Sequence, residues 1–219
     1  MNNRGNTIFL AIIACLLWST VYAGIKIGLQ YDTPLHFAGI RFMISGLMIL
    51  PFTVKPADYL RMIKDHRNIV LWITFLQTLI NYVLFYLGMD LVPGALGAVI
   101  VGSQPLVTAV VAAMAHKEDK LTRRKIATII AGIAGVILIS TGRQALKIGT
   151  VSELLGVGLI LGANIATAVS NVMVSLKSNG INPYVLSSSS LFSGGLIIYL
   201  ISLFFERGLP RAEKTTEYW

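Results

Sequence analysis

Three rows of polar side chains lie at helical spacing inside apolar stretches of this 219-residue chain. Trp18, Tyr22 and Lys26 recur every four residues within "ACLLWSTVYAGIK" (14–26). Thr74, Gln77 and Asn81 form a second row, and Asn164, Thr167, Asn171 and Ser175 a third. At about 100° per residue each row occupies one face of a helix. Amides and hydroxyls donate and accept hydrogen bonds and an indole N–H donates; with no recognisable acid, base or metal set to activate a hydroxyl, this chemistry is binding. In hydrocarbon each group costs free energy unless it finds a partner or a wet cavity. One such amide could be interhelical glue, and Trp18 with Tyr22 could simply pack between helices. Three aligned rows fit better with a shared polar cavity.

Two further features belong with these rows. In "VGSQPLVTAV" (101–110) Pro105 removes one backbone hydrogen bond and frees the carbonyl of Val101, beside Gly102, Ser103 and Gln104. This predicts a local break in a helix, at the depth where carriers expose backbone to solute; a packing kink satisfied by Ser103 is the alternative. Arg41 lies seven residues into its apolar run, about 10 Å below one surface at 1.5 Å per residue. It could meet an anionic solute group, Asp32 or Asp90, but the sequence favours snorkelling to water, as it does for Lys26. Asp32, Asp90 and Glu153 stand near loop ends, so no membrane-embedded acid is expected.

The elements that must position these residues are transmembrane helices. Hydrophobic residues make up 55% of the chain and charged residues 13%, with mean hydropathy +0.72. That is too little charge to coat a soluble globule, which carries about 25%. Seven runs of the length a bilayer demands, roughly 20 residues, occur at 7–29, 35–54, 68–88, 93–115, 125–142, 154–176 and 184–205. The predicted fold is all-α, a polytopic helical membrane protein, since the runs are continuous rather than alternating at period two. The net charge of +8 is a topology signal and not a nucleic-acid footprint. Eleven Lys and Arg fall in one set of alternate loops and five in the other. The positive-inside rule then puts the N-terminus in the cytoplasm of a multi-pass cell-membrane protein.

Segment 55–68 is expected as an interfacial amphipathic helix or a solvated loop. Segment 116–125 is expected as a turn, and the most linker-like stretch is 143–153. Gly24 and Gly28 form a GxxxG pair, and Ala127, Ala131 and Gly135 a small-residue stripe; both are expected at close helix contacts. Cys15 is the single cysteine, so no intrachain disulfide can form. "IIAC" resembles a lipoprotein box, but the apolar helix runs on through it. His36, His66 and His116 are scattered near helix ends. With no nucleotide loop and no metal-binding or acid–base set, no catalytic residue, metal or cofactor is expected.

An internal repeat is visible at an offset of 149 residues. Pro34 then meets Pro183, Gly46 meets Gly195, and Trp18 and Tyr22 meet Thr167 and Asn171. Five intervening spans would invert the second copy, an architecture typical of secondary transporters.

"LLWSTVYAGIKIGL", "TPLHFAGIRFMISGLMILP" and "LVPGALGAVIVGSQPLVTAVVAAMAHKEDKLTRRKIATIIAGIAGVILIS" together resemble the EamA-type branch of the drug/metabolite transporter superfamily. The third stretch is the most specific: small residues, a Gln-Pro pair, a charged turn and a Gly-rich fifth helix. Where many relatives carry a Gly-Glu turn, this chain has Lys117 and Glu118, followed by Leu121 and Thr122. The resemblance implies ten helices in two inverted five-helix repeats around a central cavity for a small metabolite. By position it puts Trp18, Tyr22, Gln77, Asn81, Gln104 and Asn164 near that cavity, and the third polar row adds Asn171. Residues 1–142 would form the first repeat and 154–219 an incomplete second one. With seven spans the C-terminus would lie outside, and "EKTTEYW" reads as the approach to another helix of a truncated chain.

The function expected is secondary transport of a small organic metabolite or drug-like solute by alternating access. The alternative is a non-transporting subunit or truncated remnant that only packs with partner helices; a lipid-modifying enzyme is disfavoured. Expected partners are the solute, the bilayer, and a second copy or further C-terminal helices.

Overall fold

In the computed structural model the described residues are 4–115, 127, 151–178 and 180–206. Nine α-helices are described: α1 (Arg4–Tyr31), α2 (Pro34–Ile49), α3 (Pro56–Asp65), α4 (Arg67–Ile73), α5 (Asn81–Leu91), α6 (Gly94–Gly102), α7 (Gln104–Ala115), α8 (Val151–Lys177) and α9 (Pro183–Phe205). No strand occurs among the described residues. Proline opens α2, α3 and α9, the position where its missing N–H costs nothing and its fixed φ suits the first turn. Among the described residues six stretches are long and apolar enough to cross a bilayer: Ala11–Tyr31, Pro34–Phe52, Arg67–Leu91, Gly94–Ala115, Val151–Lys177 and Pro183–Phe205. The protein is a polytopic helical membrane protein. The predicted fifth span, its Ala127/Ala131/Gly135 stripe, the 116–125 turn and the C-terminal "EKTTEYW" lie outside the described residues, Ala127 being described only as helical. Val151, Ser152 and Glu153, expected in the linker, already belong to α8.

Two of the long spans are interrupted. In the third, Thr74–Ile80 is a π-helical segment between α4 and α5, and the Asn81 N–H reaches back to the Leu76 carbonyl. Closing five residues back instead of four re-aims the side chains that follow. In the fourth, α6 and α7 meet at a turn on Ser103, two residues before Pro105, at the predicted break.

The closest packing joins α2 to α9. A Cβ added at Gly39, Gly46 or Gly195 would lie 2.7, 2.6 and 2.7 Å from the backbone nitrogens of Tyr199, Phe192 and Met43 respectively. Ser188 Oγ, itself buried, donates to the Gly46 carbonyl at 2.9 Å. The Gly46–Phe192 and Gly195–Met43 contacts exchange with one another under the same 149-residue offset that aligns the sequence. The α2–α9 seam therefore has local two-fold character. The expected GxxxG pair is corrected by half. A Cβ at Gly28 would run into the Phe37 ring, but Gly24 is exposed with nothing within 4 Å. One helical turn displaced it past the neighbour.

A core cluster built on Ile25, Leu29, Phe42, Tyr86, Met89, Ile160 and Ile198 closes one end of the bundle. A second, with Ile69, Val70, Ile73, Ile181 and Leu186, closes the other, and Met62 of α3 packs on it. Segment 55–68 is thus helical rather than a plain loop. α3 carries Asp58 in its first turn and Lys64 in its last, matching the helix dipole. In the turn before α9, Gly180 has φ +89°, a conformation that favours glycine, and Asn182 caps α9 by accepting from the Tyr184 N–H at 2.8 Å.

At the α1–α2 corner Asp32 stands near a loop end, as expected, yet inside the protein. Asp32 is fully buried, and its carboxylate meets His36 Nδ1 at 2.8 Å and accepts the Thr33 N–H at 2.9 Å. Glu206, just after α9, accepts the N–H groups of Leu35 at 3.1 Å and His36 at 3.0 Å. Placement near a loop end did not mean exposure, because α9 folds back over this corner.

Candidate functional site

The seven residues expected at the site line one cavity of about 250 Å³. Trp18 and Tyr22 come from α1, Gln77 from the π-helical segment, Asn81 from α5, Gln104 from α7, and Asn164 and Asn171 from α8. Thr167 completes the α8 row. Ser175, expected with it, is exposed two turns beyond Thr167 and does not line the cavity. Thr74 is likewise missing. It is buried against Ser193 of α9, with oxygens 3.5 Å apart. The π-helical segment rotated Thr74 off the face that Gln77 and Asn81 share.

The amides differ in how they are held. Asn164 is 3% exposed, and its Nδ2 donates to the Ile100 carbonyl at 2.9 Å. The Ser103 hydroxyl donates to the same carbonyl at 2.6 Å. The broken turn between α6 and α7 is thereby tied to α8. Asn81 Nδ2 donates to the Gln77 carbonyl at 3.2 Å. Gln104 Nε2 reaches Thr108 Oγ1 at 3.5 Å. Gln77 Oε1 is buried and has no hydrogen-bond partner among the described residues. A buried, unpaired acceptor costs about 1–3 kcal/mol, which a solute donor or a water would recover.

Aromatic rings that the sequence reading passed over supply much of the wall. Phe42 stacks on Tyr82 with centroids 3.8 Å apart, and Tyr22 meets Phe85 edge-on at 6.5 Å. Spacing alone could have flagged Tyr82 and Tyr86, one turn apart and next to Asn81. Trp18 stands at the rim, 62% exposed. An adjoining hollow of about 330 Å³ shares Trp18, Tyr22, Val101 and Gln104 and reaches Pro105.

Arg41 is the main correction. Instead of snorkelling to water it lines the cavity, where its Nη1 donates to the Tyr86 hydroxyl at 2.8 Å. Tyr86 is fully buried and fixes the guanidinium. Lys26, by contrast, is not a lining residue.

Asn164 offers a direct test. Asn164→Leu removes the bond to the Ile100 carbonyl and fills polar space with an isobutyl group. We expect a loss of about 1–2 kcal/mol in unfolding free energy, read as a lower thermal midpoint in detergent. An unchanged midpoint would mean that the α6–α7 turn is held without α8.

No solved structure matches the chain significantly. It is 27% identical over 220 residues to the uncharacterized transporter YvbV of Bacillus subtilis, covering 98% of this chain and 68% of the relative. It is 25% identical over 209 residues to the uncharacterized transporter YoaV of the same organism, covering 95% and 70%. A probable amino-acid metabolite efflux pump of Escherichia coli is 27% identical over 179 residues, covering 81% and 56%. The EamA-like transporter family matches residues 5–141. With that match over more than half its length, and a polar cavity walled by membrane-spanning helices, this chain belongs to the EamA-like transporter family.

Proposed function

We propose that the chain is a secondary carrier that moves a small organic metabolite across the cytoplasmic membrane by alternating access. One observation carries the reading: five helical elements bring seven polar and aromatic residues to one cavity between membrane-spanning helices. A structural subunit that only packed with partners would have little need for an unpaired amide oxygen there. The two-fold character of the α2–α9 seam supports rocking of two related halves, the motion used by inverted-repeat carriers. Residues 1–142 and 154–219 are the halves we assign, with the basic loops and the N-terminus in the cytoplasm. The printed name of the Escherichia coli relative supports a polar metabolite as cargo.

The test is flux of candidate metabolites in cells or proteoliposomes with the Gln77→Leu/Asn81→Leu double variant. Two amides supply several of the solute's hydrogen bonds, each worth about 0.5–1.5 kcal/mol. We expect flux to fall about tenfold or more at normal expression. Unchanged flux removes the cavity from the mechanism. No flux of any solute by the unsubstituted protein favours the packing-subunit alternative.

A further inference from the structure

Resting on the carrier reading above, we infer that the cargo carries a carboxylate and that Arg41 is the group that binds it. Among the described residues that line the cavity Arg41 alone is charged. No carboxylate among the described residues forms an ion pair with it. Its hydrogen bond goes to a neutral phenol, the Tyr86 hydroxyl, at 2.8 Å. A guanidinium has five donors in a rigid fork and stays protonated in proteins, so the remaining N–H groups face the cavity with a full positive charge. Its position is set by packing, with Cζ 5.9 Å from the centroid of the Phe42 ring, which is itself stacked on Tyr82. A fixed, half-buried cation beside a polar cavity attracts an anion and repels a cation.

Charge count and geometry narrow the anion. One guanidinium balances one negative charge, and its fork matches a carboxylate in two parallel bonds. A phosphate monoester brings about −1.5 to −2, leaving the excess uncompensated where the described lining residues offer no second cation. Gln77 Oε1, buried and unpartnered, asks for an N–H or O–H elsewhere on the same solute. The ring wall of Tyr82, Phe85 and Phe42 takes an apolar body. The class is therefore a small organic monocarboxylate with a donor group and an apolar side.

Matched probes decide this on the full chain in detergent: N-acetyl-phenylalanine and N-acetyl-leucine against their primary amides, by calorimetry. We expect each acid to bind at least tenfold more tightly than its amide, and Arg41→Gln to erase the difference. The same acids are expected to shield Arg41 from phenylglyoxal in the unsubstituted protein, mapped by mass spectrometry, while the amides do not. That measurement decides the matter even if the variant fails to fold. Equal binding of acid and amide, no binding of either acid, or an acid preference that survives Arg41→Gln overturns the inference. The two readings separate in proteoliposomes. Arg41-dependent acid binding without counterflow sinks the carrier and keeps the site. Counterflow of an uncharged solute that ignores Arg41→Gln does the reverse.

Discussion

Replacing Gly46 or Gly195 by alanine is expected to cost at least about 3 kcal/mol, the upper end of the range for overpacking a tight core. The reason is the identity of the atoms that the new methyl would meet. At Gly46 the obstacle is the Phe192 backbone nitrogen at 2.6 Å, and at Gly195 the Met43 nitrogen at 2.7 Å. A side chain could rotate away, but backbone moves only if the whole helix moves, so α2 and α9 must separate. Total stabilities of about 5–15 kcal/mol make such a loss large. Gly24→Ala and Gly158→Ala are the controls, since a methyl at either meets nothing within 4 Å. Helix propensity should leave them neutral or more stable by up to about 1 kcal/mol. Thermal unfolding in detergent reads all four. Because the two tight contacts share one seam, the double variant should cost less than the sum of the singles. A normal midpoint for Gly46→Ala would refute the close approach.

A comparable loss is expected at the α1–α2 corner. Asp32→Ala strips the Thr33 N–H and His36 Nδ1 of the carboxylate that faces both. Each buried group left unsatisfied costs about 1–3 kcal/mol. Asp32→Asn keeps one oxygen acceptor and should recover part of the loss. Glu206→Leu removes the acceptor for the first N–H groups of α2, which in a helix start have no internal partner. There Gln should rescue better than Leu, because one carbonyl oxygen can still reach the Leu35 and His36 amides. Equal midpoints for Glu206→Gln and Glu206→Leu would show that water, rather than the side chain, satisfies this helix start.

The site was more legible than its surroundings. Trp18, Tyr22, Gln77, Asn81, Gln104, Asn164 and Asn171 could be picked out because polar groups in apolar helices are costly, so their presence reports a cavity. What spacing could not foresee was a departure from the regular helix. Thr74 belonged to its row only at 100° per residue, and the π-helical segment broke that assumption. Arg41 was misjudged because depth along one helix says nothing about what stands beside it. Tyr86 and Phe42, brought together by packing, made the cavity side the better solvent for the guanidinium. The surroundings of Asp32 were out of reach for the same reason: the residue that crowds its corner, Glu206, lies 174 positions away in the chain.

The sequence alone determined that this is a bundle of membrane-spanning helices, where one helix breaks, and which polar residues are candidates to line a cavity. Those properties follow from length, local backbone chemistry and the transfer cost of single side chains, all of which are local. Only the tertiary structure decided that the rows meet in one cavity, that Arg41 is the one charge among its described lining residues, and that α2 and α9 touch backbone to backbone. These depend on which helices become neighbours, and that choice is made by contacts between residues far apart in the chain.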